Sequence, residues 1–336
     1  MTFQSQKQVV LDHYAALSKA TPSTVKAALA KHTSPDWHWR GMHPFYAQTG
    51  AKAVAEKFWQ PFLTSFTSVQ RRPDIMFAGT HLNTQDGDVW VVQMGHLMGL
   101  FDAPFLGIRP TGKITMLRYA EFNRVENGKI VETAMFCDLI HLMHQAGLRP
   151  LPQQTGQHLV QPGPLTHDGL LYDAQDPATG NETLALINRM ISDISANSNA
   201  DDVTAPRDAT PQQELSRCWH DDMVWWGPDG IGATYTIDRY IDQHQRPFRT
   251  QLGHREFNGH IARLAEGNFG GFFGWANLSV VPLGGYMGLT AGNRAEMRIV
   301  DIYRRDGDKL AENWIFIDIL YFLKQQGLDV LERINA

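Results

Sequence analysis

Apolar positions recur at helical spacing at two places in the chain. Val9, Val10, Tyr14 and Leu17 fall on one face of a helix, and Leu184, Ile187, Ile191 and Ile194 repeat that pattern. Thr21-Pro22 and Thr210-Pro211 then predict the start of a second, short helix, because threonine can cap the first turn and proline fits its first position. Alternation takes over at Trp37-His38-Trp39 and at Met223-Val224-Trp225-Trp226, which read as tryptophan-rich strands. A further helix is expected around residues 51–60 and 237–245, stopped by Pro61 and Pro247. The rest of each half reads as strands joined by turns, with Asn127-Gly128 and Asp306-Gly307 as hairpin signals. Each half closes on a short helix, residues 141–146 or 321–326, with Gly147 or Gly327 in the left-handed position beyond its end. Helices first and hairpins afterwards predict an α+β fold.

The two halves are copies. At an offset of 180, nine of the 32 positions from 117 to 148 are identical to those from 297 to 328, among them Arg118/Arg298, Glu132/Glu312, Phe136/Phe316 and Asp138/Asp318. Ordinary residue usage would give about two. Other positions exchange like for like, such as Glu121/Asp301 and Leu139/Ile319. Upstream the offset drifts to 186, where Trp39-Arg40-Gly41 meets Trp225-Trp226-Gly227 and Pro61-Phe62 meets Pro247-Phe248. So long a period means two whole domains, 1–150 and 181–336, joined by a linker over 151–180 that is rich in Pro, Gly and Gln. Its Leu170-Leu171-Tyr172 cluster suggests that the linker is partly docked.

Composition narrows the chemistry. The chain has 336 residues, 43% hydrophobic and 19% charged, a globular balance. Thirty Lys and Arg against 35 Asp and Glu leave a formal charge of −5, which carries no footprint for nucleic acid or an anionic membrane. Two cysteines, Cys137 and Cys218, fit a reducing compartment, and neither a signal peptide nor an 18-residue apolar span is read, so a cytoplasmic location is expected.

The last strand of each copy carries a carboxylate. Period two places Glu132, Ala134, Phe136 and Asp138 on one face, and Glu312, Trp314, Phe316 and Asp318 on the same face of the second copy. Both faces are largely apolar, so Asp138 and Asp318 are expected where water is scarce, a setting that raises a carboxyl pKa. Two roles fit: an acid/base group, or a cap on the helix that follows.

The run Pro110-Thr111-Gly112-Lys113, the segment FNRVENGKIVE from Phe122 to Glu132, and Asp138 followed by Gly147 resemble the SnoaL-like polyketide cyclase family of the nuclear transport factor 2-like superfamily. The likeness is dense over residues 94–152, looser over the rest of the first copy, and returns at 301–328 with Lys309, Glu312, Trp314 and Asp318. It implies two tandem conical half-barrels, each a curved antiparallel sheet covered by helices around one apolar pocket, packed as an internal pseudo-dimer and open to further self-association. It also implies that Asp138 and Asp318 match the acid/base group of an intramolecular aldol closure that needs no metal and no cofactor. The family carries a histidine on a middle strand two residues after a glycine; here Gly95-His96 stands one position earlier, and one position on a strand reverses the face. The second copy reads Gly274-Trp275-Ala276-Asn277 there and lacks the PTGK turn, so the first copy is the expected active one.

Aromatic side chains offer the walls of such a pocket. Trp37, Trp39, His43, Tyr46, Phe58, Trp59, Met94 and Phe136 are the candidates in the first copy, and Trp225, Trp275 and Trp314 in the second, each equally able to be plain core. His141 and His144 lie three apart on a helix without the further donors a metal site needs. No HExxH, GxSxG, GxxxxGK[ST] or CxxC motif occurs. The expectation is an acid/base enzyme acting on a hydrophobic or aromatic small molecule, of cyclase or isomerase type, with Asp138 taking a proton from carbon and His96 or His43 stabilising or protonating the developing oxyanion. A non-catalytic binding cup is the alternative, and a dehydratase or hydrolase using the same acid is a further one.

Overall fold

The computed structural model describes residues 2–198 and 209–335. The chain divides into two units, the first of Met1–Pro150, Pro162–Ala174 and Asp329–Ala336, the second of Leu151–Gln161 and Gln175–Leu328. Each is built on one mixed sheet with helices, an α+β arrangement.

The first unit holds β1 (Thr33–Gly41), β2 (Ala47–Thr49), β3 (Phe66–Thr80), β4 (Val89–Phe101), β5 (Ile114–Glu126) and β6 (Lys129–Cys137), in the spatial order β2-β1-β6-β5-β4-β3. The second holds β7 (Trp219–Trp226), β8 (Thr234–Tyr235), β9 (Leu252–Phe257), β10 (Ala262–Glu266), β11 (Phe269–Pro282), β12 (Ala295–Asp306) and β13 (Lys309–Ile317). Its order is β10-β11-β12-β13-β7-β8, and β9 also pairs with β11, so β9 and β10 together stand where the first unit has one long strand. The sheets are not wholly antiparallel: β1 runs parallel to β6 and β7 parallel to β13. That pairing is possible because the chain between the partners, several strands and a helical stretch, is long enough to cross over.

Local signals act as their chemistry dictates. Asn127 and Gly128, at φ 49° and 74°, turn β5 into β6. Gly147 and Gly327 take φ 81° and 83° just beyond the helices Leu139–Gln145 and Ile319–Gln325. Thr210 closes a reciprocal capping box with Gln213 ahead of the helix Pro211–Ser216. Segment 162–174 docks on the open edge of β3, where the Met76 amide donates to Gly169 O at 2.8 Å and the Leu171 amide to Met76 O at 2.9 Å. The linker thus covers an edge that would otherwise expose unpaired backbone groups.

Pro61 and Pro247 do not stop their helices. Each follows a π-helical turn, Ala55–Trp59 or Ile241–Gln245, after which the helix resumes as Gln60–Ser65 or Arg246–Gln251. The Gln60 amide reaches back five residues to Ala55 O, and the Arg246 amide to Ile241 O. Proline, lacking an N–H, then sits in the first turn of the resumed helix, where that donor has no intrahelical partner. The widened turns carry Trp59 and His244, and such turns often mark functional positions. Among the described residues no helix is long and apolar enough to cross a membrane.

Candidate active site

The second unit encloses a cavity of about 210 Å³ between its sheet and its helices. Trp219, Trp225, Phe248, Phe272, Ile299 and Ile315 make its apolar wall. Period two decides what else reaches it. Ile299, Asp301 and Tyr303 of β12 share one face, as do Asn313, Ile315 and Ile317 of β13, and all six line the cavity.

Among the described residues Asp301 is the one carboxylate in that lining. Burial pushes its pKa up to about 7, and the hydrogen bonds from Asn313 and Tyr303 pull it back only in part. Asn313 Nδ2 donates to Asp301 Oδ1 at 3.0 Å and to Ile302 O at 3.0 Å, which fixes the carboxyl in place. Burial, with Asp301 beside it, holds the Tyr303 phenol well above its ordinary range, so it stays protonated. His244 lines the same cavity on the π-helical turn, stacked on Trp225 with centroids 4.0 Å apart. Burial lowers its pKa to about 3, so the ring is neutral across the working range. Tyr240, Arg255, His260 and Asn277 are the other polar residues of the lining, and the buried Asn277 Oδ1 has no hydrogen-bond partner. An acceptor left in that state favours a ligand that donates to it, or an amide turned so that its N–H₂ meets a ligand oxygen.

The first unit uses the same register differently. Glu121 pairs with Met135 across β5 and β6 as Asp301 pairs with Ile315 across β12 and β13. Arg71 of β3, however, donates from Nη1 to Glu121 Oε2 at 2.7 Å, and both side chains are more than nine-tenths buried. The guanidinium lies over Tyr14 at 3.8 Å and Tyr119 at 4.5 Å, and Tyr119 donates to Gln93 Oε1 at 2.7 Å. Arg71 stands opposite Leu97, which pairs with Leu117; Phe257 stands opposite Leu278, which pairs with Met297. Phenylalanine therefore occupies in the second unit the place of the arginine that neutralises Glu121 in the first. The cavity lined by a carboxylate without an ion pair is thus the one in the second copy.

Asp138 and Asp318 act as caps. Asp138 Oδ1 accepts from the His141 amide at 2.9 Å, with Arg118 Nη1 3.9 Å from its other oxygen. Asp318 Oδ1 accepts from the Tyr321 amide at 3.2 Å, and Arg298 Nη1 donates to Oδ2 at 3.3 Å. Both carboxylates are tied to a main-chain amide and face an arginine, and neither borders the cavity of its unit. The face on which the sequence places them, Glu312, Trp314 and Phe316 in the second copy, is the one turned away from the cavity. Phe136 and Trp314, fully buried on that face, are core.

His96 also points away. β4 pairs with β5 without a bulge from Trp90↔Arg124 to Leu100↔Ile114, so Gln93 and Leu97 share the inner face while Met94 and His96 take the other. His96 Nδ1 lies 3.1 Å from Asp74 Oδ2. Trp37 is spent on a hydrogen bond from Nε1 to Thr133 Oγ1 at 3.0 Å, and Trp39 and Phe58 on an aromatic cluster with Phe45. His43 is buried rather than at a rim, its Nδ1 2.7 Å from the half-exposed Tyr46 hydroxyl. Trp275 covers Arg298, 4.4 Å from ring centre to guanidinium carbon. Of the aromatic candidates, Trp59 lines a cavity in the first unit and Trp225 the one in the second. Nothing local in the sequence marks Asp301 or Asn277 as a site residue, although Glu121/Asp301 is one of four acidic pairs that the repeat preserves at the offset of 180.

Known proteins place the first repeat. Residues 11–146 match the family model described as SnoaL-like polyketide cyclase. No protein with a curated description matches the chain. Among solved structures, a candidate SnoaL-like polyketide cyclase from Jannaschia sp. CCS1 is 19% identical, with a TM-score of 0.36 over 44% of this chain and 95% of its own. An NTF2-like protein from Burkholderia thailandensis E264 is 24% identical, with a TM-score of 0.32 over 44% of this chain and 99% of its own. Over residues 11–146 this chain is therefore similar to the SnoaL-like polyketide cyclase family.

Proposed function

We propose that the second unit is an acid/base site for a hydrophobic ketone, with Asp301 as the proton-transfer group and Asn277 as the contact for the ligand oxygen. One observation carries the reading: the buried Asp301 carboxyl lines a largely apolar cavity with Asn313 as its hydrogen-bond partner and no arginine or lysine hydrogen-bonded to it among the described residues, a setting that pushes its pKa up to about 7. A group poised there is split between its two forms at neutral pH, so it can both take and return a proton. Ionised Asp301 removes a proton from the carbon beside the carbonyl, and the electron pair moves onto the carbonyl oxygen, which an Asn277 N–H can bind. In an aldol closure the resulting enolate carbon attacks a second carbonyl of the same molecule. A carbon–carbon bond forms, and the proton held by Asp301 passes to the new alkoxide. An isomerase would return that proton to a different carbon instead. All the proton bookkeeping is met by Asp301 itself.

The test needs no knowledge of the natural substrate. 2-Tetralone is an aromatic ketone of suitable size, and exchange of its α-hydrogens for solvent deuterium can be followed by proton NMR. The protein is expected to accelerate exchange over buffer, with a rate that rises with pH and levels off above about 7, as the ionised base accumulates. Asp138→Asn, in the other unit, should leave the rate unchanged. Saturable binding of 2-tetralone with no exchange above buffer would favour the non-catalytic cup of the same fold.

A further inference from the structure

The first unit has a cavity of its own, of about 290 Å³, with a different chemistry. Leu63, Trp59, Phe66 and Leu97 supply apolar wall, and Ser18, Lys19 and Thr21, just past the helix Gln4–Leu17, supply polar groups on another side. Arg71 lines it as well. One end of its guanidinium is committed, Nη1 donating to Glu121 Oε2 at 2.7 Å and to Gln93 Oε1 at 3.4 Å. The other end is not: Nη2 is buried and has no hydrogen-bond partner, on a side chain only 9% exposed. A guanidinium is always charged and carries no acceptor, so a buried N–H₂ of this kind can be satisfied only by an acceptor that enters the cavity.

We propose that this cavity is a binding site for a small carboxylate with an apolar or aromatic body, one carboxylate oxygen accepting from Arg71 Nη2. The charge balance favours an anion over a neutral acceptor. Glu121 offsets Arg71, and Lys19, exposed on the lining, adds one uncompensated positive charge. The apolar wall then takes the body of the ligand while its charged end meets the arginine, the geometry in which charge-assisted hydrogen bonds are strongest. The residue that blocks acid chemistry at Glu121 is thereby the one that recognises the ligand. This inference does not rest on the reading of Asp301, which lies in the other unit.

Calorimetric titration of the full chain with benzoate tests it, with benzamide and benzyl alcohol as neutral relatives of the same size. Benzoate is expected to bind to the wild type, and Arg71→Lys to weaken that binding at least tenfold. Lysine keeps the positive charge beside Glu121, so the fold is retained, but it offers no second nitrogen. Asn277→Ala, which alters the other cavity, should leave benzoate affinity unchanged. Benzoate binding unaffected by Arg71→Lys, binding abolished by Asn277→Ala, neutral relatives binding as tightly as benzoate, or no benzoate binding at millimolar concentration would each overturn the proposal.

Discussion

Asp301→Asn is expected to stabilise the second unit at pH 8 while removing its proton-transfer activity. The direction follows from the raised pKa. Burial pushes the Asp301 pKa up to about 7 in the folded chain, from 3.8 for a free side chain. Between those values the folded state keeps a proton that the unfolded state has shed, so stability falls as pH rises from about 4 to about 7 and then levels off. The full difference corresponds to roughly 4 kcal/mol against the wild type at pH 8, from about 1.4 kcal/mol per pKa unit. Asparagine has nearly the same shape, can still accept from Asn313 through its carbonyl oxygen, and never ionises. The variant should therefore match the wild type near pH 4 and gain about 2–4 kcal/mol over it by pH 8, read from urea transitions at the two pH values. The same substitution deletes the base, and exchange of 2-tetralone should fall by about 10²–10⁴-fold. A variant that is equally stable relative to the wild type at both pH values would show that the carboxylate is well compensated, and the mechanism would lose its motive force.

The second large effect belongs to the first unit. Arg71→Met leaves Glu121, 4% exposed, without its ion partner, and breaking a buried pair from one side typically costs about 3–5 kcal/mol. Loss of the guanidinium from between the Tyr14 and Tyr119 rings adds to the cost. Removing both charges is much less damaging, because no buried ion is then left unpaired. Arg71→Met/Glu121→Leu should thus recover most of the lost stability in the same denaturation experiment, a non-additivity that independent sites would not show. Equal losses in the single and the double variant would mean that packing at Arg71, and not its pairing with Glu121, holds this unit.

These two effects hinge on a difference the sequence shows only when the strands are paired. The repeat, the Asn127-Gly128 turn, the Thr210 cap and the Gly147 and Gly327 helix ends were legible, because each is a local preference of a few adjacent residues. The inner face of the last strand was not. Alternation divides β6 and β13 into two sets correctly, but both sets are apolar, and nothing local says which set faces a cavity and which the opposite layer. The face that carries Asp138 and Asp318 holds two caps, whereas the opposite face of β13 holds Asn313, the partner of Asp301. Pro61 and Pro247 do not end their helices for a related reason: a π-helical turn ahead of each removes the conflict that ordinarily ends a helix. His96 was legible as a problem, one residue out of step, and the unbroken register of β4 with β5 decides it.

The acid itself shows how far spacing can go. Glu121 and Asp301 align in the repeat as similar residues, yet one is ion-paired and the other titrates near neutrality. What separates them is Arg71 against Phe257, residues that reach the site from a different strand and are far from it in sequence. Electrostatics at a buried carboxyl depends on such non-local neighbours more than on the residue type.

The most direct measurement is the titration of the Asp301 side-chain carboxyl by carbon-13 NMR, with its resonance identified by its loss in Asp301→Asn. A midpoint near pH 7 is the result predicted here. A midpoint below 4 would mean that the group is an ordinary ionised carboxylate, and the second unit would have no poised acid.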